Sequence, residues 1–181
     1  MCVIYGDITN DSSFLKEQAK KATTRGKDET ITSFKDWKLV HWRTPTNQSK
    51  DTYPIKIDDS LFAMNGIIFD NFYNQLIQEY KDKNVDLGYS VDSAYMLKKL
   101  IDAQLDWSQF DNLNCTFAFW MVHDGELYLG NKDFPLYLGE NKFSSFNFED
   151  SKKAGNKVYK YQDGNWVELY SFTHLIYNGN N

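Results

Sequence analysis

Apolar and β-branched residues occur along the chain in short runs, and these runs predict most of the strands. Asn65-Gly66 interrupts one run as a turn dipeptide. Two Asp-Gly dipeptides, at 124–125 and 163–164, each separate two runs, as in a short β-hairpin. The predicted strands and hairpins lie at 2–8, 29–34, 37–42, 61–64, 66–69, 115–132, 135–140, 144–148 and 157–172.

Three other segments predict helices from apolar residues at helical spacing or from capping residues. They are 11–26, 70–83 and 92–105. The first has Asp11 or Ser12 as its N-cap and Gly26 just past its end, and the second has Asp70 as its cap. The polar stretch 44–60, with two prolines, predicts a loop. Amphipathic helices in mid-chain and antiparallel strands at the end predict an α+β fold with helices covering sheets.

Composition narrows the class of protein. The chain has 181 residues, of which 41% are hydrophobic and 17% aromatic, so we expect one globular domain over residues 1–181. The net charge is −5 and the lysines are interleaved with acids, so we expect no nucleic-acid contact. Two cysteines, no apolar run of membrane-spanning length and no signal-peptide pattern predict a cytoplasmic protein in a reducing compartment.

Cys2 directly follows the first methionine and is the first candidate for chemistry. Aminopeptidases remove methionine before small residues, and its removal would put a thiol and a free α-amine on one residue. The α-amine, with a reference pKa of about 7.7–8.0, could then accept the thiol proton, so that one residue supplies nucleophile and base. Taken alone, such a cysteine is more commonly a small buried residue at the start of a strand.

Further polar residues could bind a carboxylate, an oxyanion or an ammonium group. Arg43 ends a strand, where its guanidinium can bind a carboxylate through two parallel hydrogen bonds. The Asn65 amide and the Gly66 N–H can form an oxyanion hole. Asp92, at a helix start, can hold an ammonium. Taken singly, these residues also fit a surface ion pair, a hairpin turn and a helix cap.

Other catalytic motifs are absent from the sequence. It has no G-x-S-x-G, no H-E-x-x-H, no phosphate-binding loop and no Cys-x-x-Cys, and its three histidines are far apart. We therefore expect neither a metal nor a cofactor.

The candidate residues and the motifs around them occur in a characteristic order along the chain. Met-Cys at the start is followed by RGKD (25–28), HWRTPT (41–46), FAMNGII (62–68) and YSVDSAYML (89–97). This ordered set resembles the glutaminase domain of class II glutamine amidotransferases, the N-terminal-nucleophile (Ntn) type. The resemblance covers residues 2–140 and ends with TFAFWMVHDGELYLGNKDFPLYLG, whereas 145–181 carries further strands and a tail.

The resemblance implies a fold and a catalytic centre. The fold would be a four-layer αββα sandwich of antiparallel sheets. Cys2, once N-terminal, would be the nucleophile and, through its α-amine, the base. Asn65 and Gly66 would form the oxyanion hole.

The resemblance also implies a substrate. Arg43, with Thr46 beside it, would bind the α-carboxylate of L-glutamine, and Asp92 would hold the α-ammonium. Arg25, near the active site, would be a further substrate-binding residue. The activity would be hydrolysis of L-glutamine to glutamate and ammonia. No synthase domain follows in the sequence, so we expect a stand-alone glutaminase that passes ammonia to a separate synthase subunit.

The chain departs from the family pattern at several positions. Val3 replaces a usual glycine after the nucleophile, Thr44 and Pro45 replace an aromatic residue after the arginine, and Met64 replaces a frequent histidine. These changes keep two alternatives open. One is a hydrolase of γ-glutamyl amides or related small amides, and the other is a catalytically silent Ntn-fold binding or regulatory protein in which Cys2 stays blocked.

Overall fold

The computed structural model describes residues 2–44, 51–111 and 113–173. Its elements in chain order are β1 Val3–Asp7, α1 Ser12–Ala22, β2 Asp28–Phe34, β3 Trp37–Arg43, β4 Ile55–Ile57, β5 Ser60–Ile68, α2 Asp70–Asp82, α3 Asp92–Asp102, β6 Cys115–His123, β7 Glu126–Lys132, β8 Tyr137–Leu138, β9 Lys142–Ser144, β10 Lys152–Lys153, β11 Lys157–Gln162 and β12 Asn165–Ser171. A short 3₁₀ helix, Trp107–Phe110, follows α3.

The strands form two six-stranded sheets. The first sheet has the order β10-β8-β9-β1-β3-β2, and the second has the order β12-β11-β7-β6-β5-β4. Every neighbouring pair within the two sheets is antiparallel. The predicted hairpins at 124–125 and 163–164 are confirmed as the β6–β7 and β11–β12 connections.

Three clusters of buried side chains separate four layers. One cluster lies between the sheets and includes Ile4, Leu39 and Phe143 from the first sheet and Ala63, Trp120 and Leu129 from the second. A second cluster packs α2 and α3 on the outer face of the second sheet, and a third packs α1 on the outer face of the first sheet. The arrangement is the expected αββα sandwich of antiparallel sheets, so the predicted fold class is confirmed.

The strand containing Asn65-Gly66 differs from the prediction. The dipeptide does not form a turn, because β5 continues from Ser60 to Ile68 and each of Leu61 to Ile68 pairs with a residue of β6. A Cβ atom at Gly66 would overlap the Thr116 carbonyl oxygen and lie 2.7 Å from the Phe117 Cα. The glycine therefore permits close approach of two strands.

The helix ends also differ from the prediction. Asp11 is confirmed as the N-cap of α1, since its carboxylate accepts from the Ser13 and Phe14 N–H groups, but the helix ends at Ala22, well before Gly26. For α2 the N-cap is Phe69, so Asp70 is the first helical residue and not the cap. Helix α3 ends at residue 102 and not at 105.

Two loop and strand predictions are also corrected. The predicted loop at 44–60 contains β4, which pairs with the start of β5. The predicted strand at 144–148 is displaced to β9, Lys142–Ser144, because pairing with β1 runs through these residues. Within the described ranges, no helix is both long and apolar enough to cross a membrane.

Candidate active site

An opening at the edge of the second sheet creates the site. Strand β4 pairs with β5 only as far as Phe62, so in the described chain the remainder of β5 has no strand on that side. A cavity of about 360 Å³ occupies this region, between the sheets and the start of α3. Its lining includes Cys2, Arg43, Thr44, Tyr53, Asn65, Gly66 and Asp92.

The first sheet contributes Cys2 and Arg43. Strands β1 and β3 are antiparallel neighbours with Val3 opposite Trp42, and this register puts Cys2 beside Arg43. Since side chains alternate along a strand, and Ile4 belongs to the cluster between the sheets, Cys2 faces the second sheet. The register of the β1–β3 pair therefore places two of the predicted site residues side by side.

Burial raises the pKa of the Cys2 thiol. A backbone hydrogen bond from Thr44 and the charge of Arg43 lower the pKa, but they do not outweigh the effect of burial. The thiol is consequently in its neutral form at neutral pH, and it needs a base before it can act as a nucleophile.

Asn65 contributes a donor from the opposite sheet. Its side chain is 1% exposed, and its Nδ2 has no hydrogen-bond partner among the described residues. Ala63, two residues earlier in β5, lies in the cluster between the sheets, so Asn65 faces the same space as Cys2. An unsatisfied buried amide at a cavity wall is costly in isolation and indicates that a bound group completes it.

Asp92 reaches the cavity around the open edge of β5. It is the first residue of α3, and its carboxylate accepts from the Ser93 N–H at 2.8 Å and, more weakly, from the Ile68 N–H at 3.4 Å. Burial raises its pKa, and none of the ion pairs within the described ranges includes it. A cationic group bound in the cavity would offset this burial.

Arg43 and the nearby backbone are firmly held. The Arg43 Nη1 donates to the Asp51 carbonyl at 2.8 Å, and the Thr44 hydroxyl donates to the Arg25 carbonyl. A Cβ atom at Gly26 would collide with the Arg43 carbonyl, so the glycine lets this segment pack against the end of β3. No pattern in the sequence around Arg25-Gly26 indicates this packing against β3.

The structure separates Arg25 from the other predicted residues. Arg25 does not line the cavity, and its guanidinium lies over the Phe146 ring at 4.7 Å. Its carbonyl accepts from the hydroxyl of Thr44, which lines the cavity. Thr46 lies outside the described residues, as do the other residues of 45–50.

Tyr53 is a cavity residue that sequence analysis missed. Its hydroxyl lies 2.9 Å from the Ser93 Oγ, and its ring stacks on His41 at 4.3 Å and under the Arg43 guanidinium at 5.8 Å. Burial raises its pKa to about 12, so it remains a neutral donor. No local pattern marks this tyrosine, because its partners come from β3 and α3.

Comparison with known proteins identifies a shared fold. No family model and no curated protein matches the chain. A solved structure shares its fold, which is that of the Ntn-type amidotransferases. That structure is glutamine phosphoribosylpyrophosphate (PRPP) amidotransferase from B. subtilis complexed with ADP and GMP, with a TM-score of 0.67 and 12% sequence identity over 93% of this chain. The match covers 49% of that protein, so the chain spans about half its length.

Proposed function

We propose that the chain is a stand-alone Ntn-type glutaminase that hydrolyses L-glutamine to glutamate and ammonia through Cys2. The observation that carries the proposal is that one cavity is lined by Cys2, Arg43, Asn65 and Asp92. These residues offer a nucleophile, a carboxylate-binding cation, an oxyanion donor and an ammonium-binding anion. Glutamine has an amide carbon that the nucleophile can attack and an amide oxygen that becomes the oxyanion. It also has an α-carboxylate for the cation and an α-ammonium for the anion.

Attack by the thiol requires proton removal. The proposal includes removal of Met1, after which the α-amine of Cys2 is the base closest to its own thiol. The reference pKa of an α-amine, about 7.7–8.0, suits a base at neutral pH. The thiolate then attacks the side-chain amide carbon of glutamine and a tetrahedral oxyanion forms.

The oxyanion is stabilised by the Asn65 Nδ2 and the Gly66 N–H. Collapse of the intermediate breaks the carbon–nitrogen bond, and the leaving ammonia takes the proton held by the Cys2 amine. Water then hydrolyses the γ-glutamyl thioester and regenerates the thiol. Arg43 and Asp92 hold the α-carboxylate and α-ammonium throughout, so they bind substrate and transition state alike.

Released ammonia would be used by a separate synthase subunit, which is part of the same proposal. The support is chemical, because ammonia lost to solvent wastes glutamine. A partner that carries an ammonia-accepting site should co-purify with the protein and raise its glutamine turnover. High turnover that no co-purifying protein changes would instead describe a free-standing hydrolase.

The central test is Cys2→Ala in protein whose N-terminus has been established by intact-mass spectrometry. We expect glutamine hydrolysis to be lost while the unfolding transition is retained. A glutamine analogue with an electrophile in place of the amide should label Cys2 and leave Cys115 unmodified, because Cys115 is buried and burial raises its pKa to about 12. Full activity in Cys2→Ala, or labelling at Cys115 alone, would contradict the proposal.

A further inference from the structure

A second cavity, of about 480 Å³, adjoins the active-site cavity. It lies between the end of β7 and the segment after β10, and its lining includes Asn131, Phe134, Lys153, Gly155 and Asn156. Phe134 also lines the active-site cavity, so this one side chain is a wall common to both spaces. The proposed mechanism assigns no role to the second cavity.

The strand register shows on which side of the catalytic centre the second cavity lies. Asn65 of β5 is opposite Ala118 of β6, and Ala118 is opposite Asn131 of β7. With about 4.8 Å between neighbouring strands, the Asn65 and Asn131 Cα atoms are roughly 10 Å apart. Ala118 and Phe134 both pack in the cluster between the sheets, and Phe134 lines both cavities.

The groups assigned to the amino-acid end lie on the opposite side. Asp92 reaches the cavity around the open edge of β5, whereas the second cavity lies beyond β6. In the first sheet, β1 lies between two strands. On one side is β3, which carries Arg43, and on the other side is β9. In a substrate held by Arg43 and Asp92, with its amide carbon between Cys2 and Asn65, the amide nitrogen would point away from Asp92, on the side where Phe134 and the second cavity lie.

We propose that the second cavity is a leaving-amine subsite bounded by Phe134, through which the site takes N-substituted γ-glutamyl amides as well as glutamine. This inference rests on the proposed function and names a further substrate class for the same centre. The acyl half of such a substrate is identical to that of glutamine. Only the substituent on the nitrogen requires additional space.

The hydrolysis follows the same course as that of glutamine. The Cys2 Sγ forms a bond to the γ-carbonyl carbon, the carbon–nitrogen bond breaks, and the leaving amine takes the proton held by the Cys2 α-amine. Water then cleaves the thioester. The products are glutamate and a free primary amine, with one water consumed and no oxidant or reductant needed.

Phe134 has a main chain fixed by hydrogen bonds, and the residue borders both cavities. The Asn131 Nδ2 donates to the Phe134 carbonyl at 3.0 Å and to the Ala154 carbonyl at 3.4 Å. Asn131 is 1% exposed, so this anchor is part of the core, whereas the Phe134 residue is only half-buried. The size of the side chain at position 134 should consequently set how large a substituent can enter the second cavity.

Gly155 permits a test that leaves the catalytic centre untouched. A Cβ atom at Gly155 would meet no atom within 4 Å, so the first carbon of an added side chain has open space there. Gly155→Phe should narrow the second cavity. We expect its kcat/KM for γ-glutamylethylamide to fall by about tenfold or more, with that for glutamine unchanged. Lys81→Phe, on the exposed surface of α2, is the matched control and should change neither value.

Phe134→Ala removes the wall and should act in the opposite direction. We expect the ratio of kcat/KM for γ-glutamylethylamide to that for glutamine to rise by about tenfold. Unfolding curves of each variant show whether the fold is retained. Because the readout is a ratio between two substrates, a general loss of activity does not mimic the expected result.

The outcomes separate this inference from the proposed function. Hydrolysis of glutamine but not of the ethylamide, by both the native chain and Phe134→Ala, would overturn the subsite and leave the glutaminase proposal intact. Equal losses for both substrates in Gly155→Phe would likewise overturn it. Failure of the native chain to cleave either compound would instead refute the proposed function.

Discussion

Asn65 is the residue for which the structure makes the sharpest kinetic prediction. Its Nδ2 is buried without a partner among the described residues, and in the proposed mechanism this donor gains a partner when the oxyanion forms. Asn65→Ala should lower kcat by about 10²–10³ and leave KM nearly unchanged. Steady-state glutamine hydrolysis measures both. A rise in KM with an unchanged kcat would contradict the oxyanion assignment.

Arg43 should show the opposite kinetic behaviour. Arg43→Lys keeps the positive charge but loses the planar pair of donors that matches a carboxylate. Because the proposed contact is the same in ground state and transition state, KM should rise while kcat changes little. The two variants, measured in the same assay, distinguish substrate binding from transition-state stabilisation. A loss confined to kcat would remove Arg43 from the binding role.

His41 makes stability depend on pH. It is fully buried under Tyr53, neither ring nitrogen has a hydrogen-bond partner of normal geometry within the described residues, and burial lowers its pKa from 6.5 to about 4. The nearby Met64 backbone opposes this shift only in part, and the charge of Arg43 adds to it. The unfolded chain therefore binds a proton at higher pH than the folded chain does.

It follows that the stability contributed by neutral His41 is complete above pH 6.5 and is lost as pH falls towards about 4. The loss over this window should be about 3 kcal/mol. Urea unfolding measured between about pH 7 and pH 4 should show a smaller decline in His41→Leu than in the native chain. Identical declines in the two proteins would show that His41 does not titrate as expected.

At the scale of single elements, Gly66 tests how closely β5 approaches β6. Gly66→Ala would place a methyl group on the Thr116 carbonyl and the Phe117 backbone, and neither can move without shifting the strand. We expect the free energy of unfolding to fall by about 1–3 kcal/mol. Gly155→Ala is the control, because its methyl group would meet no neighbouring atom. Equal effects of the two substitutions would argue against the close approach.

The elements themselves were largely predictable, and the errors have a common cause. Runs of apolar and β-branched residues indicated β1 and the β6–β7 hairpin correctly, and capping residues indicated α1, because these signals lie in neighbouring residues of the chain. Asn65-Gly66 resembled a turn because its local preference favours one. Pairing along β6 overrides that preference, and no local pattern shows where a distant partner strand lies.

At the scale of the whole molecule, Trp120 joins the two sheets. It is fully buried in the cluster between them, and its Nε1 donates to the Val40 carbonyl of the first sheet at 3.2 Å. Trp120→Phe removes this hydrogen bond and leaves unfilled volume, so stability should fall by about 2 kcal/mol or more. Denaturant unfolding provides the measurement.

Trp166→Phe is the matched control for that substitution. Trp166 also donates through Nε1 to a carbonyl, that of Gly139 at 2.9 Å, but it is only half-buried. Water can replace its partner when the indole is removed, so the loss of stability should be smaller. A larger loss in Trp166→Phe than in Trp120→Phe would mean that the contact between the sheets contributes less than its burial suggests.

The sequence by itself determined the type of most elements, an α+β fold with helices covering sheets, and a set of candidate residues whose order resembles a known family, and that resemblance implied the αββα arrangement. Local periodicity and capping chemistry are encoded in neighbouring residues, which makes them accessible without a structure. Tertiary structure alone decided which candidates meet. Cys2, Arg43, Asn65 and Asp92 share one cavity, whereas Arg25 lies outside it.

The same distinction explains the residues that the sequence did not reveal. Tyr53 and Phe134 have no distinguishing pattern around them, and they matter because the cavities are bounded by segments far apart in the chain. Packing between distant residues sets the register between strands, the short pairing of β4 with β5 and the position of α3 at that open edge. For this reason only the folded chain decides where the site opens and what lies beside it.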